Sequence, residues 1–138
     1  MQKVVIDTNV IISALIGSGY PRQIIFDLVL GKRIQVFTSS PIFTEYIEVL
    51  NREKFTKYPE FIIKSEIVLN KIDELSLKFF PTIVLAEIKD EPDNRFLELA
   101  VFAKADFLIT GNKNHFPFSR YGSLHIVSPK EYIETHFG

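Results

Sequence analysis

The chain has 138 residues, 46% of them hydrophobic and 24% charged. That composition can bury a sizeable core and is not that of a disordered segment. With no cysteine, disulfide scaffolds, thiolate zinc sites and cysteine nucleophiles are excluded. The net charge of −1 excludes a molecule that draws in polyanions as a whole, so a nucleic-acid ligand would need a local basic patch or bound cations.

In chain order, residues 3–6, with the apolar Val4-Val5-Ile6, read as a first buried strand. Asp7 to Ile16 then carries Ile, Val and Leu at helical spacing, and Gly17-Ser18-Gly19 ends it. Pro21 suits the first turn of a helix whose stripe is Ile24, Ile25, Leu28 and Val29, with Gly31 in the C-cap position. Residues 33–38 are expected to be a second strand. Ser40 followed by Pro41 reads as N-cap and N1 of a helix running to about Leu50. A long amphipathic helix is expected from Pro59 to about Leu77. Because segment 51–78 holds no strand between its helices, it is expected to project from the sheet as a lobe. A third strand is expected within 79–88, around Ile83-Val84-Leu85, and a helix from Pro92 to about Ala103. Asp106–Thr110 and Leu124–Val127 read as short buried strands, and Ser128-Pro129 opens a final helix. Strands alternating with helices predict an α/β fold: one parallel sheet of four to five strands with helices on both faces. With no repeat, linker or low-complexity tract, 1–138 is expected to be a single domain. No apolar stretch reaches the roughly 18 residues needed to span a membrane. No leader segment precedes the first strand, so a cytoplasmic location is expected.

Four polar groups fall at strand-to-helix junctions: Asp7, Glu45, Asp93 and Asn112. In open α/β sheets ligands bind beyond the carboxyl ends of strands. Asp7 has two open readings, a helix N-cap or a metal ligand. Glu45 is not placed to complete a capping box with Ser40, and it borders the apolar stripe of its helix beside Ile42 and Val49. At 100° per residue, Asp93 shares its helix face with Phe96, Leu97, Ala100 and Val101, while Asn94, Arg95 and Glu98 lie opposite. An acid on an inward face requires a cation, a metal or donors, and Asp90 and Glu91 are alternative caps for that helix. Asn112 follows a strand through Thr110-Gly111, where a turn residue is also ordinary.

Magnesium and manganese take oxygen ligands from a few carboxylates, waters and substrate phosphates. Such an ion orients and polarises a phosphodiester and lowers the pKa of an attacking water. Three carboxylates converging on one point would repel unless a cation neutralised them. Asp7, Glu45 and Asp93 are therefore candidate catalytic and metal-binding residues, with Asn112 a further candidate ligand. Thr8, Asn9, Ser40, Asp90 and Thr110 are candidate substrate-binding or supporting positions. Lys113 and His115 stand either near a phosphate or in an ordinary exposed loop. Arg52, Lys54 and Lys57, beside Phe55 and Tyr58, are either an RNA-stacking patch or a solvated helix end.

Asp7-Thr8-Asn9, Ser40-Pro41-Ile42-Phe43-Thr44-Glu45, Asp93 to Ala100, and Thr110-Gly111-Asn112 together resemble the four motifs of PIN-domain ribonucleases. The order and spacing are most similar to the toxin subgroup of toxin–antitoxin pairs. The resemblance implies a PIN-like three-layer fold and a Mg²⁺- or Mn²⁺-dependent endoribonuclease. It also implies that Asp7, Glu45 and Asp93 hold metal, that the chain forms a homodimer, and that a small antitoxin covers the cleft. Many members have an aspartate where this chain has Asn112, which offers a carbonyl oxygen but no charge. Two other classes remain open: a different α/β phosphoryl-transfer hydrolase, and a PIN-fold binding or regulatory protein with weakened catalysis.

Overall fold

A computed structural model describes residues 1–137; Gly138, the last residue of the expected domain, lies outside them. Strand β1 (Lys3–Ile6) leads into α1 (Thr8–Ile16), then into a short α2 (Tyr20–Arg22) that widens into π-helical turns over Gln23–Val29. Strand β2 (Gln35–Ser39) is followed by α3 (Ser40–Leu50), α4 (Glu53–Thr56) and α5 (Pro59–Leu75). Then come β3 (Leu77–Phe79), α6 (Glu91–Phe102), β4 (Phe107–Ile109) and a 3₁₀ turn at Lys113–His115. Strands β5 (Arg120–Tyr121) and β6 (Leu124–Val127) precede a C-terminal α7 (Pro129–Glu131) that continues as a π-helix over Tyr132–His136.

The six strands form one sheet in the order β3-β2-β1-β4-β6-β5, parallel except for the β5–β6 pair. This is the expected α/β sheet with more strands than expected. The count rises through β3 and the two-residue β5, both too short to show an apolar period. Helix α6 packs across β1, β2 and β4, and α3 and α5 pack on β2. Central strands β1 and β4 are apolar and buried, as strands covered on both faces must be.

The chain moves outward from β1 to β2 and β3, then crosses back to lay β4 on the other side of β1. The β1/β4 seam is thus a topological switch point, where the loops leaving two adjacent strands diverge and open a crevice. Asp7 follows β1 and Thr110 follows β4, and the Asp7 amide donates to the Ile109 carbonyl at 2.9 Å. Both residues therefore stand at the mouth of that crevice.

Several local expectations are corrected. The strand expected around Ile83-Val84-Leu85 does not form, and Val84 is 84% exposed. The edge beside β2 is instead taken by Leu77–Phe79 immediately after α5, and the later apolar triplet adds no strand outside it. Segment 51–78 is not a projecting lobe: α5 contributes Phe61, Val68, Leu69 and Ile72 to the core. Ser39, which still pairs with Phe79, is the N-cap of α3 in place of Ser40, and Pro41 stands in the first turn. Gly31 does not adopt a left-handed C-cap conformation; Lys32 does, at φ 59°. Glycine is required at 31 for another reason, because a Cβ there would lie 2.1 Å from the Asp27 carbonyl oxygen. Ser128 and Glu131 form the capping box that opens α7.

Candidate metal centre

Asp7 is the N-cap residue of α1, yet its side chain makes no capping bond. Its Oδ2 instead accepts the Thr110 hydroxyl at 2.7 Å, and the Thr110 Oγ1 accepts the Asn112 amide at 3.0 Å. Neighbouring Thr8 donates its hydroxyl to Glu45 Oε2, bringing α3 to the same place. Beneath them the fully buried Tyr46 donates to the Ile6 carbonyl, fixing α3 against the end of β1. Asn9 accepts the Gly111 amide at 3.0 Å, which ties the loop after β1 to the loop after β4. Sequence motifs 103 residues apart are thus cross-linked by Thr110 to Asp7.

Asp93 lies in the first turn of α6, whose N-cap is Asp90, and neither side chain caps the helix. Asp93 is 7% exposed and Asp7 5%. The Asp93 Oδ2 pairs with His115 Nδ1 at 3.1 Å. Among the described residues no lysine or arginine forms an ion pair with Asp7, Glu45, Asp90 or Asp93. None of these side chains caps its helix, and no lysine or arginine among the described residues contacts them directly; Arg52 favours the Glu45 carboxylate from a longer distance.

Their titration reflects this. Burial raises the Asp7 carboxyl to about 7; the Thr110 hydroxyl opposes the rise, and Asp93 and Glu45 add repulsion. Glu45 is raised by burial, with the Thr8 hydroxyl opposing and Asp93 repelling. Asp93 is raised by burial and by Asp90, with His115 opposing. The three carboxylates are close enough to feel one another, and burial makes ionisation costliest at Asp7.

Other expected site residues are placed differently. The Asn112 side chain makes no hydrogen bond among the described residues; its backbone amide is what joins the network. Ser40 is exposed and lines a separate cavity of about 240 Å³ with Phe43, Phe79 and Phe80. Lys113 is committed to Glu131, with both carboxylate oxygens at 2.9 Å. Phe55 is buried against Phe61, so of that basic patch's aromatics Tyr58 is the exposed one.

Two positions of α6 depart from the expected face. Asn94 and Glu98, expected opposite the core face, are buried. Asn94 accepts from the Ile88 amide and donates to its carbonyl, while Glu98 accepts from the Leu85 amide at 2.7 Å. Segment 80–90 lies over that face, and these side chains satisfy its backbone in place of a strand partner. The clamp fixes the loop that delivers Asp90 and Asp93. The His115–Asp93 contact also escaped the sequence, since nothing in the spacing of 22 residues signals it.

A PIN domain family model matches residues 3–114. The chain belongs to the PIN-domain family. It is 34% identical to the uncharacterized protein MJ1680 of Methanocaldococcus jannaschii, across 96% of this chain and 90% of that protein. PIN domains are generally nucleases that act on RNA and typically use divalent metals. In this PIN domain Asp90, Asp93 and His115 each place a potential ligand atom within 4.8 Å of the others. No helix among the described residues is long and apolar enough to cross a membrane.

Proposed function

We propose that this PIN-domain protein is a Mg²⁺- or Mn²⁺-dependent endoribonuclease in which Asp7, Glu45 and Asp93 hold the metal. One observation carries the reading: three carboxylates from three junctions, Asp7 and Asp93 buried and Glu45 half-buried, repel one another without a lysine or arginine in contact with them. All are hard oxygen donors, as Mg²⁺ and Mn²⁺ prefer. When bound, the ion supplies phosphodiester orientation, Lewis-acid polarisation and an acidified water.

The chain's own residues prepare that chemistry. Thr110 holds Asp7 Oδ2 and Thr8 holds Glu45 Oε2. In each carboxylate one oxygen is oriented by protein and the other is left for the cation or the attacking water. Asn9 and Gly111 keep the two loops in register. Asp90 and Asn112 are supporting positions in this reading, Asn112 as a neutral oxygen donor; Ser40, in its separate cavity, is not. The substrate phosphate adds negative charge to the cluster, so productive binding depends on the cation.

The test is cleavage of RNA by purified protein in Mn²⁺ or Mg²⁺ against Asp7→Asn and Asp93→Asn. Each substitution is expected to lower the rate by about a hundredfold or more, since even groups supporting a ligand are worth 10–100-fold. Equal cleavage by all three proteins would overturn the assignment.

The same reading makes the chain a single-domain cytoplasmic toxin, acting as a homodimer and restrained by an antitoxin. An apolar trough of about 640 Å³ supports a protein partner. Ile12, Leu15, Ile16 and Phe61 line it, with Lys54, Lys57 and Lys64 beside them. Light scattering of the protein, alone and with the product of any short adjacent gene, tests both partners.

A further inference from the structure

We propose that the cavity between the start of α3 and the end of β3 is a nucleobase subsite, which seats one unpaired base of the RNA beside the metal centre. The inference rests on the ribonuclease reading above and deepens it.

Two strands end at this cavity. Ser39 closes β2 and Phe79 closes β3, opposite each other in parallel register, and both line it. It therefore stands at the carboxyl edge of the sheet, where Asp7 follows β1. Thr44 borders this cavity and also the one that Glu45 lines. From Ser40 to Glu45 is roughly 8 Å along the axis of α3. An RNA strand crossing the acids thus has a base within reach of Ser39.

Three independent features suit a base. Ser39 is 4% exposed, yet its hydroxyl makes no hydrogen bond among the described residues and does not cap α3. A buried hydroxyl without a partner is costly, and the cavity is where a partner can stand. The first-turn amides of α3, left without a side-chain cap, add donors beside it. Second, the walls are aromatic. Phe79 packs on Phe37 at 4.7 Å and Phe43 on Tyr46 at 6.0 Å, so both rings are held. Phe80, at the mouth, is 80% exposed, and unpaired bases stack on such rings. Third, Lys78 is the one cation among the lining residues, and it pairs with Asp73 at 2.9 Å. The two charges cancel, which disfavours a phosphate and suits a neutral planar ligand with a polar edge. The donors of Ser39 and α3 select a base carrying a carbonyl oxygen, as uracil does and adenine does not.

The test is an amide NMR titration of the metal-free full chain with uridine, adenosine and inorganic phosphate, joined to cleavage kinetics on oligoribonucleotides in Mn²⁺. Uridine is expected to shift the amides of Ser39, Ser40 and Phe80 more strongly than adenosine, and phosphate to leave them unmoved. Phe80→Ala, at a position exposed to solvent, is expected to raise KM for RNA about tenfold or more, with kcat changing far less. Ser39→Ala is expected to remove the preference for uridine over adenosine. RNA cleavage with a wild-type KM in Phe80→Ala, and no amide shift with either nucleoside, would overturn the subsite and leave the Asp7–Glu45–Asp93 centre standing. Equal shifts with phosphate would overturn it in favour of an anion site. A dimer that Phe80→Ala dissociates, with no response to nucleosides, would overturn it in favour of a protein interface. Uridine shifts at these amides without RNA cleavage would uphold the base site and overturn the catalytic reading alone.

Discussion

Replacing Asp7 by asparagine isolates the cost of its buried charge. Asparagine keeps an oxygen for the Thr110 hydroxyl, which stands 2.7 Å from Asp7 Oδ2, and abolishes ionisation. The Asp7 carboxyl rises from 3.8 to about 7, chiefly through burial. An acid whose folded pKa lies above its unfolded value binds more protons when folded, so stability falls as pH climbs between the two values. Here that window runs from about pH 4 to about pH 7, and at 1.36 kcal/mol per pH unit the metal-free protein loses about 4 kcal/mol across it. A domain of this size has an unfolding entropy at which 1 kcal/mol moves Tm by about 3–4 °C. In chelator, Asp7→Asn should match the wild type near pH 4 and melt about 5–15 °C higher at pH 8. Saturating Mn²⁺ should raise the wild-type Tm and leave the variant almost unmoved. Thermal denaturation followed by circular dichroism checks this. A Tm difference that stays constant from pH 4 to pH 8, or a variant less stable than wild type at pH 8, would refute the reasoning.

Two further substitutions probe the supports of the centre. Asn94→Ala leaves the Ile88 amide and carbonyl without their partners and should cost about 2–4 kcal/mol; denaturant unfolding measures it, and limited proteolysis should cut first within residues 80–90. Gly111→Ala places a Cβ 3.1 Å from Asn9 Oδ1, so Asn9 must give way. Its stability loss should stay near about 1 kcal/mol, while calorimetry shows weakened Mn²⁺ binding.

The parts of the site legible in the sequence are those where local pattern and tertiary role coincide. Asp7 ends an apolar run, and Val4, Val5 and Ile6 of that run are buried in β1. Asp93 interrupts an inward stripe, and the helix does bury it. The illegible parts depend on partners distant in the chain. Ile83-Val84-Leu85 has the composition of a strand, but strands form by pairing, and β3 had already taken the edge of β2. A helical wheel placed Asn94 and Glu98 in solvent because it counts one buried face. Segment 80–90 covers the other, and its backbone needs those polar groups. His115 reads as a loop residue until the fold sets it 3.1 Å from Asp93. Gly31 shows the same limit on a small scale: the need for glycine was visible and its cause, a close carbonyl, was not.

The most direct test of the central claim is anomalous diffraction from a crystal soaked in Mn²⁺. A peak bounded by the carboxylates of Asp7, Glu45 and Asp93 is expected, lost in Asp7→Asn. Saturating Mn²⁺ that leaves no peak among these three side chains would contradict it.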